Sequence, residues 1–155
     1  MIGMGLLSKV FSTPVDSFVS PQKLYKIDFP KGWRKIYSLR KNSPISFFSK
    51  EYKGILQISA AFHPDLNYQY SANNEFEVVK KEHPRATLST ISNKQVISWA
   101  TDDKCESIIL FGFILGDKNV KLFATYTYGY TEFNLEEVNS ECAKVNTLLE
   151  KLNFV

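Results

Sequence analysis

The chain has 155 residues, 44% of them hydrophobic and 23% charged, which fits one ordinary globular domain with a single core. A net charge of +3 is too small to mark a nucleic-acid-binding protein by itself, and no apolar run reaches the length of a membrane span. Aromatic content is high at 14%, supplied mostly by Phe and Tyr, and both residue types favour strands.

Residues 1–22 read as a lead-in, punctuated by Ser12-Thr13-Pro14 and Ser20-Pro21. Leu6, Leu7, Val10 and Phe11 have the spacing of one helical turn with an apolar face, expected to dock on the core. The start lacks a basic n-region, and Lys9 interrupts its short apolar run, so no secretory signal is expected. A cytoplasmic protein is the simplest inference. The remaining residues, 23–155, read as one domain.

Tyr25, Ile27 and Phe29 alternate with Lys26 and Asp28, the pattern of a half-buried strand. Pro30 has no N–H to give a ladder and stops it. Gly32 permits a tight turn, and Trp33 is expected to re-enter the core. Ile36, Tyr37 and Leu39 follow less regularly, and Asn42-Ser43-Pro44 is a turn. Short strands are predicted over Ile45–Ser49 and Ile55–Phe62, separated by a turn at Lys50–Gly54. In the second strand Leu56, Ile58, Ala60 and Phe62 share one face. Residues 66–74 are polar and aromatic without a period. Asn73 or Asn74 is expected to cap a helix running to Glu82, with Phe76 and Val79 inward and Pro84 ending it.

Thr87–Ile91 and Gln95–Ala100 read as strands around Ser92-Asn93-Lys94, and Asp102-Asp103-Lys104 as the next turn. Then come two strongly apolar, aromatic runs over Ile108–Tyr130, flanking a turn at Gly116–Asn119: a long β-hairpin. Its first arm is apolar at nearly every position, so both faces should be buried. In its second arm Val120, Leu122, Ala124, Tyr126, Tyr128 and Tyr130 share a core face, and Lys121, Phe123, Thr125 and Thr127 a mixed one. The chain closes with an amphipathic helix from Leu135 to Leu152, whose stripe includes Val138, Cys142, Val145 and Leu149. Asn134, with Glu137 three residues on, marks its start.

Common chemistries leave no trace. There is no Gly-rich phosphate loop and no nucleophile elbow. His63, His83, Cys105 and Cys142 include no close ligand pair of the kind structural zinc sites have, so no metal or cofactor is expected. Both cysteines read as buried, reduced thiols, with Cys105 opening a strand. Asp102-Asp103 reads as solvated turn residues. The Tyr126–Tyr128–Tyr130 row has the spacing of a base-stacking platform, but no basic residues interleave with it. It reads as core, and no nucleic-acid partner is expected.

Charge is uneven. Residues 23–41 hold seven basic side chains against one acidic, a local +6, which leaves −3 for the rest of the chain. Lys26, Lys31, Arg34, Lys35, Arg40 and Lys41 are therefore the candidate partner-binding residues, since such asymmetry steers an acidic partner. The semi-polar sheet face around Thr125 and Thr127 is a second candidate surface. An edge strand also carries Lys and Arg simply to discourage pairing.

The run Ile27-Asp-Phe-Pro-Lys-Gly-Trp33, an alternating strand ending in Pro-x-Gly-Trp, resembles the opening of the PsbP/Mog-like superfamily. The closing long hairpin and amphipathic helix, ending in Leu152-Asn-Phe154, look similar as well. The resemblance covers roughly residues 24–155. It implies an α+β fold in which an antiparallel β-sheet carries helices on its faces, an α/β/α sandwich. The superfamily is mostly non-enzymatic. It includes a photosystem accessory protein, a regulator of a Ran-type GTPase and many small bacterial proteins, and it offers no catalytic motif to carry over. Without a transit peptide, the chain is placed among the small bacterial members. The expectation is a non-enzymatic binding or adaptor domain with a protein partner. An immunity-type protein neutralising a toxin is the alternative. An enzyme would need a pocket joining His63 or His83 to a carboxylate.

Overall fold

The computed structural model describes residues 12–36 and 44–155. Eleven strands and two helices follow one another in the described residues. An eight-stranded sheet has the order β1-β4-β5-β6-β10-β9-β8-β7. Its strands are β1 (Ser12–Pro14), β4 (Trp33–Ile36), β5 (Ile45–Ser49), β6 (Ile55–Phe62), β7 (Thr87–Ile91), β8 (Lys94–Asp103), β9 (Ile108–Asp117) and β10 (Val120–Gly129). A three-stranded sheet has β3 (Tyr25–Asp28) between β2 (Ser17–Val19) and β11 (Leu152–Phe154). All pairings are antiparallel. Helix α1 (Ala72–Glu82) precedes β7, and α2 (Leu135–Glu150) precedes β11.

The predicted hairpin is the centre of the large sheet. β9 and β10 pair over ten positions, from Val120↔Asp117 to Gly129↔Ile108. Each then has a further partner, β8 for β9 and β6 for β10. Because side chains alternate along a strand, β9 feeds two cores. Ile109, Phe111, Phe113 and Leu115 enter a main core with Val145, Leu148 and Leu149 of α2. Ile114 enters a smaller cluster with Val79 of α1. On β8, Val96 and Ile97 divide the same way. The two helices therefore lie on opposite faces of the sheet, which is the α/β/α layering expected.

The main core also takes Tyr25, Ile27 and Trp33, placing the three-stranded sheet on the α2 side. Trp33 is 2% exposed, with its ring 4.7 Å from Tyr52 and 5.2 Å from Phe29. Gly32, at φ 98°, makes the preceding turn, a conformation glycine adopts without a Cβ clash. The row Leu122, Ala124, Tyr126, Tyr128 is buried as the alternation required.

Several expectations are corrected. Residues 12–19 are no mere lead-in, since β1 and β2 join both sheets. The turn at Gly116–Asn119 is tighter than expected, because Asp117 and Val120 already pair and leave Lys118-Asn119 as the loop. Asp102 and Asp103 extend β8 rather than forming a turn. Cys105 lies in the turn after it and is exposed, not buried at a strand start. Ser71, not Asn73 or Asn74, caps α1, its hydroxyl accepting from Asn74 N at 3.3 Å. Helix α2 stops at Glu150 because the chain must extend to pair Leu152 with Ile27. At its other end Leu135 is exposed. The capping residue is Asn134, as read: its Oδ1 accepts from Glu136 N and Glu137 N. The apolar turn at Leu6–Phe11 and the turn at Asn42-Ser43 lie outside the described residues.

Candidate functional site

The described side chains of the basic segment differ in their surroundings. Arg34 stands opposite Pro14 in the β1–β4 ladder and reaches along β1 to Ser12, donating from Nε to Ser12 Oγ at 2.8 Å and from Nη2 to Ser12 O at 2.9 Å. That guanidinium joins two strands. Lys35 lies over the Phe18 ring, 5.0 Å from its centroid. Lys26 meets Asp28 at 3.8 Å, a loose, exposed pair worth little. Lys23 and Lys31 are exposed. Arg40 and Lys41 lie outside the described residues. Thr125 and Thr127 are half-buried on the α1 side of the sheet. Thr125 stands opposite Gln57 and Gly112, and Thr127 opposite Ile55 and Leu110.

The two histidines are far from equivalent: His63 lines the hairpin-end cavity described below, together with Glu75, and His83 does not. His83 ends α1, and its ring stacks on Trp99 at 4.7 Å and 16°. Trp99 in turn lies against Gly112, directly opposite it on β9. A Cβ at Gly112 would collide with the indole, so glycine here makes room for the ring. His63 follows β6. Its Nδ1 accepts from Asp65 N at 3.1 Å, and its ring stacks on Tyr68 at 4.2 Å and 9°. Accepting at Nδ1 leaves the proton of the neutral ring on Nε2. Among the described residues, no three His, Cys, Asp or Glu side chains converge to hold a metal.

Buried polarity concentrates elsewhere, at Glu141 of α2, which is 1% exposed. Its Oε1 accepts from Lys53 N at 3.0 Å and from Tyr126 Oη at 3.3 Å. Tyr126 Oη itself accepts from Gly54 N at 2.8 Å. Lys144 Nζ stands 3.0 Å from Glu141 Oε2. Burial, and next the nearby Glu141 charge, push the Tyr126 phenol well above the ordinary tyrosine range. Every partner here is a structural one: the cluster joins helix, sheet and the β5–β6 turn.

The site that sequence reasoning missed is at the hairpin end. Residues 63–70 have no period, yet they fold onto the β9–β10 turn through backbone bonds. His63 N donates to Asn119 O at 2.7 Å, and Tyr70 N to Lys118 O at 2.7 Å. Asn119 Nδ2 returns a bond to His63 O at 3.0 Å. Tyr70 lies over Gly116, where any side chain would meet its ring. The result is a cavity of about 240 Å³, walled by Phe62, Tyr68, Tyr70 and Val120, with Glu75 and Lys121 beside them. Lys121 Nζ meets Glu75 Oε1 at 3.3 Å. Burial pushes the Tyr70 phenol up to about 12, and its hydroxyl has no hydrogen-bond partner among the described residues. Two large side chains of the lining are exposed, Phe62 at 58% and Tyr68 at 44%, and Leu66 in the same chain segment is 81% exposed. Phe62 was expected in the core with Leu56 and Ile58, but it is the last residue of β6, opposite Val120, and is exposed. The available signal was the density of aromatic residues in an otherwise polar, aperiodic stretch.

The fold is PsbP-like. The solution structure of cyanobacterial PsbP (CyanoP) from Synechocystis sp. PCC 6803 superimposes with a TM-score of 0.58 at 8% identity, covering 94% of this chain and 93% of that one. A crystal structure of a protein from Bacteroides thetaiotaomicron VPI-5482 matches with a TM-score of 0.67 at 15% identity, covering 90% of this chain. The chain spans about half (48%) of that Bacteroides protein. At these identities the likeness is one of fold. No family model and no curated protein matches the sequence. Among the described residues, no helix is long and apolar enough to cross a membrane.

Proposed function

We propose that this chain is a binding domain that recognises a protein partner, and that the centre of contact is the hairpin end rather than the basic segment. The observation that carries the reading is the pair Phe62 and Tyr68, both exposed and both lining one cavity, with Leu66 exposed in the same segment of chain. Contiguous exposed apolar side chains mark interaction sites, and aromatic anchors in or beside a pocket dominate binding energy. The backbone bonds from residues 63 and 70 to the hairpin turn hold this surface in shape before a partner arrives, which lowers the ordering cost of binding. The exposed Lys23, Lys26 and Lys31 contribute long-range steering of an acidic partner, a rate effect more than an affinity effect. In this reading the protein is a small bacterial, cytoplasmic adaptor.

The test is capture from the native organism with three baits: the unaltered chain, Phe62→Ser with Leu66→Ser, and a Lys23, Lys26, Lys31→Glu triple variant. The rim variant is expected to lose the partner. The triple variant is expected to keep it, associating more slowly and with a weaker salt dependence. Undiminished capture by the rim variant, with loss in the triple variant, would return the contact to the basic segment.

A further inference from the structure

We infer that the hairpin-end cavity receives a single tyrosine side chain of the partner, an inference that rests on the protein-binding reading above. Size sets the first limit. At about 240 Å³ the cavity falls below the roughly 300 Å³ at which pockets for drug-sized ligands begin. It therefore suits one side-chain-sized group rather than a nucleotide or an organic cofactor. The walls set the second. Phe62, Tyr68, Tyr70 and Val120 present rings and an aliphatic surface, complementary to a flat apolar body. Tyr68 is held in place by its stack on His63.

Charge sets the third limit and discriminates among flat groups. The polar lining is His63, Glu75, Asn119 and Lys121; its carboxylate and ammonium, Glu75 and Lys121, are paired at 3.3 Å, so they offset each other. A partner's arginine or lysine would gain Glu75 but meet the Lys121 ammonium, and a carboxylate would gain Lys121 but meet Glu75. A hydroxyl suits both, since it donates to the carboxylate while accepting from the ammonium. The carboxylate and ammonium each have bonding capacity beyond their mutual contact. Tyrosine is the side chain that joins a flat apolar ring to a terminal hydroxyl. A hexose also offers hydroxyls, but its outward groups would then face the exposed Phe62 and Tyr68. A protein surface around an inserted tyrosine covers those two side chains instead.

The test is a titration of the isotopically labelled chain, followed by amide chemical shifts. The probes are N-acetyltyrosinamide, N-acetylphenylalaninamide and methyl glucoside, each to millimolar concentration. N-acetyltyrosinamide is expected to shift the amides of Tyr68, Val120 and Lys121. The phenylalanine analogue is expected to bind about threefold to tenfold more weakly, the worth of one hydrogen bond. Glu75→Gln and Lys121→Met should each weaken N-acetyltyrosinamide more than N-acetylphenylalaninamide, with the dispersed amide spectrum of the folded chain retained, since neither side chain is fully buried. No response to N-acetyltyrosinamide, an equal response to the phenylalanine analogue, or tighter binding of the glucoside would each overturn the inference. Loss of partner capture in the rim variant alongside a silent N-acetyltyrosinamide titration would overturn the tyrosine and leave the protein-binding reading standing. Undiminished capture by the rim variant would overturn both.

Discussion

Replacing Tyr126 with phenylalanine isolates the polar joint between α2 and the sheet. The ring stays, so the main core keeps its packing, and only the hydroxyl is lost. Two bonds go with it: the one accepted from Gly54 N at 2.8 Å and the one donated to Glu141 Oε1 at 3.3 Å. Gly54 is buried, so its N–H is left without a partner, which costs about 1–3 kcal/mol, while the loss at Glu141 is smaller because Lys53 N still donates to the same oxygen. The substitution should therefore destabilise the chain by about 2–3 kcal/mol. Urea unfolding at pH 7 measures this as a lower midpoint with unchanged slope. Combined with Glu141→Gln the effects should be non-additive, with a coupling of about 0.5–3 kcal/mol, as for side chains sharing one network. A loss under about 0.5 kcal/mol, the range of ordinary surface substitutions, or strict additivity would refute the claim that this hydroxyl joins helix to sheet.

Alkaline unfolding provides a second check on the buried phenols: burial pushes Tyr25 and Tyr126 well above the ordinary tyrosine value, and Tyr70 and Tyr128 to about 12. Each folded-state value is raised, so the folded chain holds more protons than the unfolded one above pH 10, and stability should be flat below about pH 9 and fall beyond about pH 10; a midpoint that rises from pH 10 to 11 would contradict this. Trp33→Ala should cost about 3–5 kcal/mol, as for other large core aromatics, and an unmoved denaturation midpoint would remove Trp33 from the core. Asn134→Ala should cost about 0.5–2 kcal/mol through the lost N-cap of α2, read as the same midpoint. A thiol reagent should label exposed Cys105 in the folded chain and reach Cys142, whose thiol burial pushes up, only after unfolding; equal rates for both would contradict that.

The fold was legible where periodicity and punctuation agreed. The hairpin arms, the strand from Tyr25 and the stripe of α2 each combine a clear period with a turn or cap at the boundary, and each is present as an element of the type read, with its ends shifted. What escaped was pairing driven from a distance. Ser12–Pro14 and Ser17–Val19 have no period of their own and become strands only because β4 and β3 offer them a ladder. Leu152 continues the helical stripe but is drawn out of it by Ile27. The site was less legible for the same reason. The basic run looked like one surface, yet alternation along β4 sends Arg34 to Ser12 and Lys35 to Phe18. The hairpin-end cavity depends on backbone bonds between residues 63–70 and 118–119, a long-range contact with no local signal beyond the exposed aromatic residues themselves.

The central claim is that a protein partner covers the hairpin end. Amide hydrogen exchange of the chain, free and in the complex purified from its native organism, tests this most directly. Slowed exchange on binding is expected across residues 62–70 and 117–121, with residues 23–35 exchanging as in the free chain. Protection confined to residues 23–35, with 62–70 and 117–121 unchanged, would contradict it.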